Sequence, residues 1–414
     1  MTKKDFLPLW IFTTLFQTGG ALSYTVFAPL GEKVLPIWLV GVLIGVASLI
    51  QLVLDIPAGI ALDRYGYVRF LRITTSIFFV AVLVLLLPFQ GWTYLLMLAL
   101  TSFGWLFFDP GVQAYMLSSS PQAFAGKYMG ITDMAKSLGT VFAVILFTFV
   151  LGLVPFAMGI VFASIFFAAF LALLFVKKEK SRDAAAEKKI PSHHYRVRRK
   201  PLGHLFRTLK RLNPVSTTLL LLGFASATFY AVIWFVIPLT IVHQVYGISE
   251  AWGLAVFDFA VVVLGGVLGK LADTYRKKLL VLLGLILFAV LGALLGFSPG
   301  IWFIVIGFLA TSGEELAGVA LWAWLNNLDK EHAEDGFIAG IMTFASDLGW
   351  AVGPALAGLL YGRIGPALAI AIGAVPLFLT LVVYIVIAFH IPFVGVGQNS
   401  SASLGKPHFA KHKH

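Results

Sequence analysis

Among the charged residues that stand inside otherwise apolar stretches of the sequence, the main candidates for a function are Asp109, Asp133, Lys136, Asp258 and Glu314. A charge surrounded by hydrocarbon is costly, so such a residue usually faces a cavity or a partner and marks the path of a proton, an ion or a substrate. The chemistry that these residues predict is reversible proton binding by a buried carboxyl group, together with ion pairing.

Spacing along the predicted helices distinguishes the acids. Asp273 lies at the predicted cytoplasmic end of its helix, and Asp258 precedes it by 15 residues. At ~1.5 Å of helix per residue, Asp258 lies ~22 Å from that end, near or beyond the middle of the membrane. Glu314 and the adjacent Glu315 point ~100° apart on a helix, so at most one of them faces a central cavity. Because Glu314 has no evident basic neighbour, a functional role is favoured for it.

Lys136 and Asp109 have candidate partners nearby. Asp133 precedes Lys136 by three residues, the spacing of an ion pair on one face of a helix. Asp109 stands directly before Pro110, which can kink a helix. Asp109 could bind a proton, but its depth favours pairing with the basic loop at 64–69.

The elements that position these residues are membrane helices. The chain is 59% hydrophobic and only 12% charged, with a mean hydropathy of +0.94, far from the averages for soluble domains. Apolar runs long enough to cross ~30 Å of hydrocarbon as helix recur along it, without the alternation of barrel strands. We predict an all-α fold with twelve spans: 7–30, 37–60, 70–88, 93–116, 128–150, 153–176, 215–243, 250–271, 279–298, 301–325, 336–360 and 366–391.

The basic residues predict the orientation. All 30 lie on the side of the N-terminus, the linker and the C-terminus, except Lys33, Lys136 and Arg363. The positive-inside rule makes that side cytoplasmic and predicts an integral protein of a prokaryotic inner membrane. The net charge of +11 therefore reflects topology and contact with membrane lipids; no nucleic-acid partner is expected. With no cysteine and no defined metal-binding set, no disulfide, metal or other cofactor is expected.

The second half of the sequence repeats features of the first. A shift of 210 residues places Gly59 on Gly269 and Asp63 on Asp273, and lays "GITDMAKSLG" on "GIMTFASDLG" with five identities. Collinear matches of this kind indicate a duplicated six-helix unit. The predicted organisation is a first bundle at 1–176, a basic linker at 177–213, a second bundle at 214–391 and a disordered tail at 392–414.

With these halves, the chain resembles a transporter of the major facilitator superfamily over residues 1–391. The family signature between the second and third helices is Gly-x-x-x-Asp-Arg-x-Gly, and Gly59, Asp63, Arg64 and Gly66 occupy its positions. The chain departs from it after Gly66, where Arg69 supplies the later positive charge. The second copy keeps Gly269 and Asp273 but has Arg276 in place of the second glycine.

The resemblance implies a mechanism for the signature. Gly59 would allow close approach of the eleventh helix, and Asp63 would face the N-terminal end of that helix, where unpaired N–H groups stabilise an anion. The cluster would then hold the two halves together on the cytoplasmic side. Because the fifth and eighth helices of this fold lie side by side, Lys136 could meet Asp258 as an alternative to Asp133.

The same resemblance implies that the first, fourth, seventh and tenth helices line a substrate cavity. The cavity would be largely aromatic and weakly polar, which suits amphipathic or aromatic solutes. Its candidate residues are Gln17, Tyr24, Gln113, Tyr230, Trp234 and Trp322.

The implied function is secondary transport by a monomer. The sequence has no nucleotide-binding Gly-x-x-x-x-Gly-Lys-Ser/Thr loop and no hydrolase motif, so neither an ATP-driven pump nor an enzyme is expected. Proton-coupled export of a small solute is favoured; uptake by proton or sodium symport, a facilitator and a non-transporting receptor are the alternatives. The motif "GWAVGPALAG" resembles one found in the fifth helix of exporters but lies in the eleventh here, which weakens the case for export.

Overall fold

The computed structural model describes residues 3–119, 125–176, 214–243, 250–328 and 335–390. These residues form α-helices joined by short turns and one 3-10 turn at Val84–Leu86. The helices are α1 (Lys3–Glu32), α2 (Ile37–Tyr65), α3 (Tyr67–Leu83), α4 (Gly91–Ser119), α5 (Ala125–Leu151), α6 (Pro155–Leu174), α7 (Pro214–Val242), α8 (Glu250–Thr274), α9 (Lys277–Leu295), α10 (Ile301–Leu328), α11 (Asp335–Ile364), α12 (Pro366–Gly373) and α13 (Val375–His390).

The predicted all-α fold is confirmed. Each of the twelve predicted spans corresponds to a helix, and the last corresponds to two, α12 and α13. The break between them precedes Pro376, whose missing N–H removes a backbone hydrogen bond to the preceding turn. The predicted linker and tail lie outside the described residues.

Eight spans are long and apolar enough by themselves to cross a membrane: α2, α3, α4, α6, α7, α9, α10 and the α12–α13 pair. Within the described residues, α5 and α8 contain only shorter apolar stretches, at Met134–Phe147 and Ala255–Gly265. Polar side chains interrupt α1, α5, α8 and α11. These four helices contact the other half of the molecule, so their polar side chains have protein as well as lipid for neighbours.

Each half packs mainly within itself. In the first half α1 lies against α5 and α6, and α3 lies against α4 and α6; in the second, α10 lies against α8 and α9, and α7 lies against α12 and α13. The core of the first half is aromatic: the ring of Phe16 stacks on that of Phe108 with centroids 4.0 Å apart. The two halves meet chiefly where α2 packs on α11 and α5 packs on α8, with a smaller contact between α1 and α7.

Glycine makes the contact between α2 and α11 unusually close. A methyl group at Gly41 or Gly45 would collide with the carbonyl oxygens of Pro354 and Ala351, respectively. Small residues at such a contact let two helix backbones approach within van der Waals distance. Because Gly41 and Gly45 lie in the first third of α2, this contact holds the halves together at one end of the bundle.

The two ends of the bundle are named by the turns that they carry. The end with the α1–α2 and α11–α12 turns is called the distal face. The opposite end, with the start of α1 and the α2–α3 turn, is called the linker face.

Candidate functional site

A cavity of about 380 Å³ lies between the halves. Seven helices contribute to its wall among the described residues: α1, α2, α4 and α5 from the first half, and α7, α8 and α11 from the second. Its polar and aromatic lining residues are Gln17, Tyr24, Phe27, Ser48, Gln51, Thr101, Ser102, Trp105, Asp109, Thr140, Tyr230, Trp234, Asp258, Asp347 and Trp350. Because both halves supply side chains, any movement of one half against the other changes the site.

Aromatic rings from three helices form one wall of this cavity. The ring of Trp350 on α11 lies 5.7 Å from that of Tyr24 on α1 and 5.8 Å from that of Tyr230 on α7, with interplanar angles of 78° and 85°. Tyr230 in turn lies 6.2 Å from Trp234. Such edge-to-face pairs are favourable because the positive ring edge meets the negative ring face. The wall therefore joins the two halves through packing and offers apolar surface to a bound solute.

Within the described part of the chain, Oδ2 of Asp258 is a buried polar atom of the cavity wall that has no hydrogen-bond partner. Buried polar groups are normally paired, so this acceptor is available to a ligand or a proton. Asp258 also interacts electrostatically with Glu315 and Glu314 on α10. The charge on each of these three acids therefore affects the other two.

An ion pair crosses from α4 to α5. Lys136 Nζ lies 2.6 Å from Asp109 Oδ1, with the Lys136 side chain 18% exposed and that of Asp109 51% exposed. Beside it, the Gln17 amide donates to the Thr140 hydroxyl at 3.3 Å, and that hydroxyl donates to the Lys136 carbonyl oxygen at 3.3 Å. These contacts fix a polar strip on the first-half wall of the cavity.

This pairing corrects one expectation from the sequence and adds a partner to another. Asp109 was expected to pair with the basic loop at 64–69 but pairs with Lys136. Lys136 was expected to meet Asp133 or Asp258; the structure brings it to Asp109, and its pairing with Asp133 stays a prediction. The physical reason is that α4 and α5 run in opposite directions, so residues 27 positions apart come to the same depth. Spacing along one helix could not reveal this contact. The side chain of Asp133 is outside the described part of the structure.

At the distal face a side-chain hydrogen bond joins the halves. His243 Nε2, just beyond the end of α7, lies 2.9 Å from Glu32 Oε2 at the end of α1. Together with the α2–α11 glycine contact, it connects the two halves at this face. Sequence analysis did not select either residue; the only signal was a lone acid and a lone histidine at the distal ends of corresponding helices.

The signature motif is described only in part. Gly66 joins α2 to α3 with φ 91° and ψ 142°, a conformation that residues with a Cβ rarely adopt. At the corresponding turn Arg276 has φ −65° and ψ 109°, so the second copy turns without a positive φ and does not require glycine. Both Arg69 and Arg276 are exposed. For Gly59, Asp63, Arg64, Gly269 and Asp273 the structure describes only the helical backbone and not its surroundings, so the linker-face gate stays a prediction.

The predicted cavity residues are only partly brought together. Gln17, Tyr24, Tyr230, Trp234, Asp258 and Asp109 line the cavity, whereas the side chains of Gln113 and Trp322 are not described. Glu314 is not among the lining residues, and the described lining includes α11 where α10 was expected. Trp105, Asp347 and Trp350 were missed. The rotation of a helix that is apolar on all sides is not fixed by its hydropathy, so the sequence could not show that the Asp347 and Trp350 face of α11 points inward.

Membrane-length helices in two packed halves, with a cavity between them, define a polytopic membrane protein built around that cavity. The chain belongs to the Major Facilitator Superfamily, whose family model matches residues 9–333 and 219–411. No curated protein matches the sequence.

Solved structures show the same fold. A bacterial homologue of the human lysosomal transporter Spinster, in an inward-facing and unoccupied conformation, has a TM-score of 0.68 and 17% identity, covering 94% of this chain and 96% of that one. A mutant of the peptide transporter POT in complex with sulfate has a TM-score of 0.69 and 15% identity, with 93% and 94% covered. The family and these neighbours make the chain a secondary transporter of the membrane.

Proposed function

We propose that the protein exports a small amphipathic or aromatic solute in exchange for protons. The observation that carries this proposal is the central cavity itself, which has an aromatic wall, contributions from both halves and an unpaired buried carboxylate oxygen on Asp258. Movement of the halves would expose this site to one face of the membrane and then to the other.

The contacts at the distal face support alternating access. The Glu32–His243 hydrogen bond and the α2–α11 glycine contact both connect one half to the other. Both must separate before the cavity can open distally. If the basic linker face is cytoplasmic, as the positive-inside rule proposes, this arrangement is the inward-facing state and the distal face is the outer gate. The termini would then be cytoplasmic, and the membrane a prokaryotic inner membrane.

The chemistry of the wall supports a basic amphipathic cargo. The described lining contains the carboxyl groups of Asp109, Asp258 and Asp347 and no lysine or arginine. Lys136 neutralises Asp109 at 2.6 Å. The aromatic rings would hold an apolar body, and their faces attract a cationic group.

Asp258 and Glu314 are the proposed proton carriers. An acid deep in a membrane protein is retained where it binds an ion or a proton, and these two are close enough to influence each other. Binding of a cationic cargo beside Asp258 would favour loss of its proton, and release of the cargo would favour its return. Competition between cargo and proton for one carboxyl group is a sufficient mechanism for exchange.

Purified protein in lipid vesicles tests the proposal. With an imposed pH gradient and candidate amphipathic cations, wild type should accumulate solute against the concentration gradient of that solute. In exchange the protons move opposite to the solute, whereas in symport they move with it, so the orientation of the pH gradient that drives accumulation distinguishes the two. Asp258→Asn and Glu314→Gln should abolish proton-driven accumulation if either group carries the proton, while the carboxyl-retaining variants Asp258→Glu and Glu314→Asp should keep part of it. Full coupling in both amide variants would overturn the assignment of these carriers.

A further inference from the structure

A second cavity lies on the outside of the first half. It is a groove of about 290 Å³ between α2 and α4, and its wall is almost entirely apolar. The side chains of Val46, Ile50, Leu95 and Phe103 line it and are between 42% and 49% exposed. On two membrane-crossing helices such an exposed apolar surface faces the hydrocarbon of the bilayer.

The groove lies within the depth of the bilayer. On α2 it runs from Leu43 to Leu54 and on α4 from Leu95 to Leu106, a length of ~16 Å at ~1.5 Å per residue. Its distal end is six residues into α2 and four residues into α4, which is ~6–9 Å below the helix ends. It therefore begins below the interface and runs toward the middle of the membrane.

Four residues line both the groove and the central cavity: Ala47 and Gln51 on α2, and Leu98 and Ser102 on α4. A side chain that borders both spaces is the whole thickness of the wall between them. The lipid-facing groove and the solute site are thus separated by one layer of side chains.

This partition contains small and adaptable side chains. Ala47 contributes only a methyl group, and the Ser102 hydroxyl donates to the Leu98 carbonyl oxygen of its own helix at 2.8 Å. That hydrogen bond therefore does not tie α4 to α2. Gln51 is long and can change rotamer without breaking backbone hydrogen bonds. A small rotation of these side chains would connect the two spaces.

We propose that the groove holds the alkyl chain of an amphipathic cargo whose polar head occupies the central cavity, and that cargo enters from the bilayer through the partition at Ala47, Gln51, Leu98 and Ser102. This rests on the proposed function and specifies its substrate class as single-chain amphiphiles. A bilayer lipid keeps its head at the interface, whereas the shared partition brings the head of a single-chain amphiphile within reach of the polar groups of the central cavity, so the cargo is the occupant to which the geometry is suited.

Transport by plugged variants tests the inference. Ala99→Trp places an indole in the groove at an exposed residue of α4 that does not line the central cavity. Ser164→Trp is the control, because Ser164 is an exposed residue of another membrane helix. In vesicles, Ala99→Trp should reduce flux of dodecyltrimethylammonium at least tenfold and leave flux of benzyltrimethylammonium within twofold of wild type. Ser164→Trp should leave both unchanged. Equal loss of both probes, or of neither, in Ala99→Trp would overturn the side entrance.

A spin-label measurement tests independently of transport whether the partition borders both lipid and the central cavity. Because the chain has no cysteine, a single cysteine at Ser102 or Ser164 can carry a nitroxide in nanodiscs. The label at 102 should collide with both oxygen, which dissolves in hydrocarbon, and a water-soluble nickel chelate, while the label at 164 should collide with oxygen alone. Oxygen contact alone at 102 would refute the entrance. Absence of flux for both probes in wild type would instead refute the proposed function.

Discussion

Substitution of Gly41 by alanine should release the closure at the distal face. A Cβ at this position would collide with the carbonyl oxygen of Pro354 and lie 3.0 Å from Cα and 3.2 Å from N of Gly358. All three neighbours are backbone atoms of α11, so no rotamer change can make room. The helices must separate, and the closed state alone bears the steric cost.

The size of the effect follows from this geometry. Inserting a methyl group into a well-packed contact typically costs ~1–3 kcal/mol. The gain in helix propensity from glycine to alanine, ~1 kcal/mol, applies to open and closed states alike and cancels from their ratio. A bias of ~1–3 kcal/mol changes the ratio of the two states by ~5–150-fold. The variant should therefore populate a distally open state more than wild type.

Distances between paired spin labels measure this population. Cysteines at Lys33 and Arg363, both exposed at the distal face, should give a longer distance in Gly41→Ala than in the parent, and a pair at Arg69 and Leu279 should report the linker face. Gly265→Ala is the matched control, because a Cβ there meets nothing within 4 Å. An unchanged distal distance distribution in Gly41→Ala would show that the glycine contact does not hold the closed state.

Two further predictions concern the polar pairs. Lys136→Met should lower the free energy of unfolding in detergent by ~0.2–1 kcal/mol, because the Asp109 side chain that loses its partner is half-exposed. Adding Asp109→Asn should recover most of that loss; strictly additive losses would mean that the 2.6 Å contact is not energetically coupled. Glu32→Gln should shift the distal distance less than Gly41→Ala, because an exposed pair contributes ~0.2–1 kcal/mol, and His243→Ala added to it should cause no further shift. A shift exceeding that of Gly41→Ala would contradict this ranking of the two contacts.

The sequence by itself determined the architecture. Runs of apolar residues of membrane length must form helices, because only a helix satisfies its own backbone hydrogen bonds in hydrocarbon. The described helices are consistent with the twelve predicted spans, and eight of them are long and apolar enough by themselves to cross a membrane. Gly66, which the sequence assigned to the family signature, lies at the α2–α3 turn with a positive φ. Deep acids such as Asp258 were recognisable because a charge in an apolar run is conspicuous.

Only the tertiary structure decided which side chains meet. The Asp109–Lys136 pair joins antiparallel helices, and the inward face of α11, with Asp347 and Trp350, depends on the rotation of a helix about its axis. Neither property leaves a periodic signal when most faces of a helix are apolar. The closed face depends on a contact between two separate halves, in which a backbone carbonyl at Pro354 fills the space left by Gly41. That contact is a property of packing between distant segments and is therefore absent from any local pattern of residues.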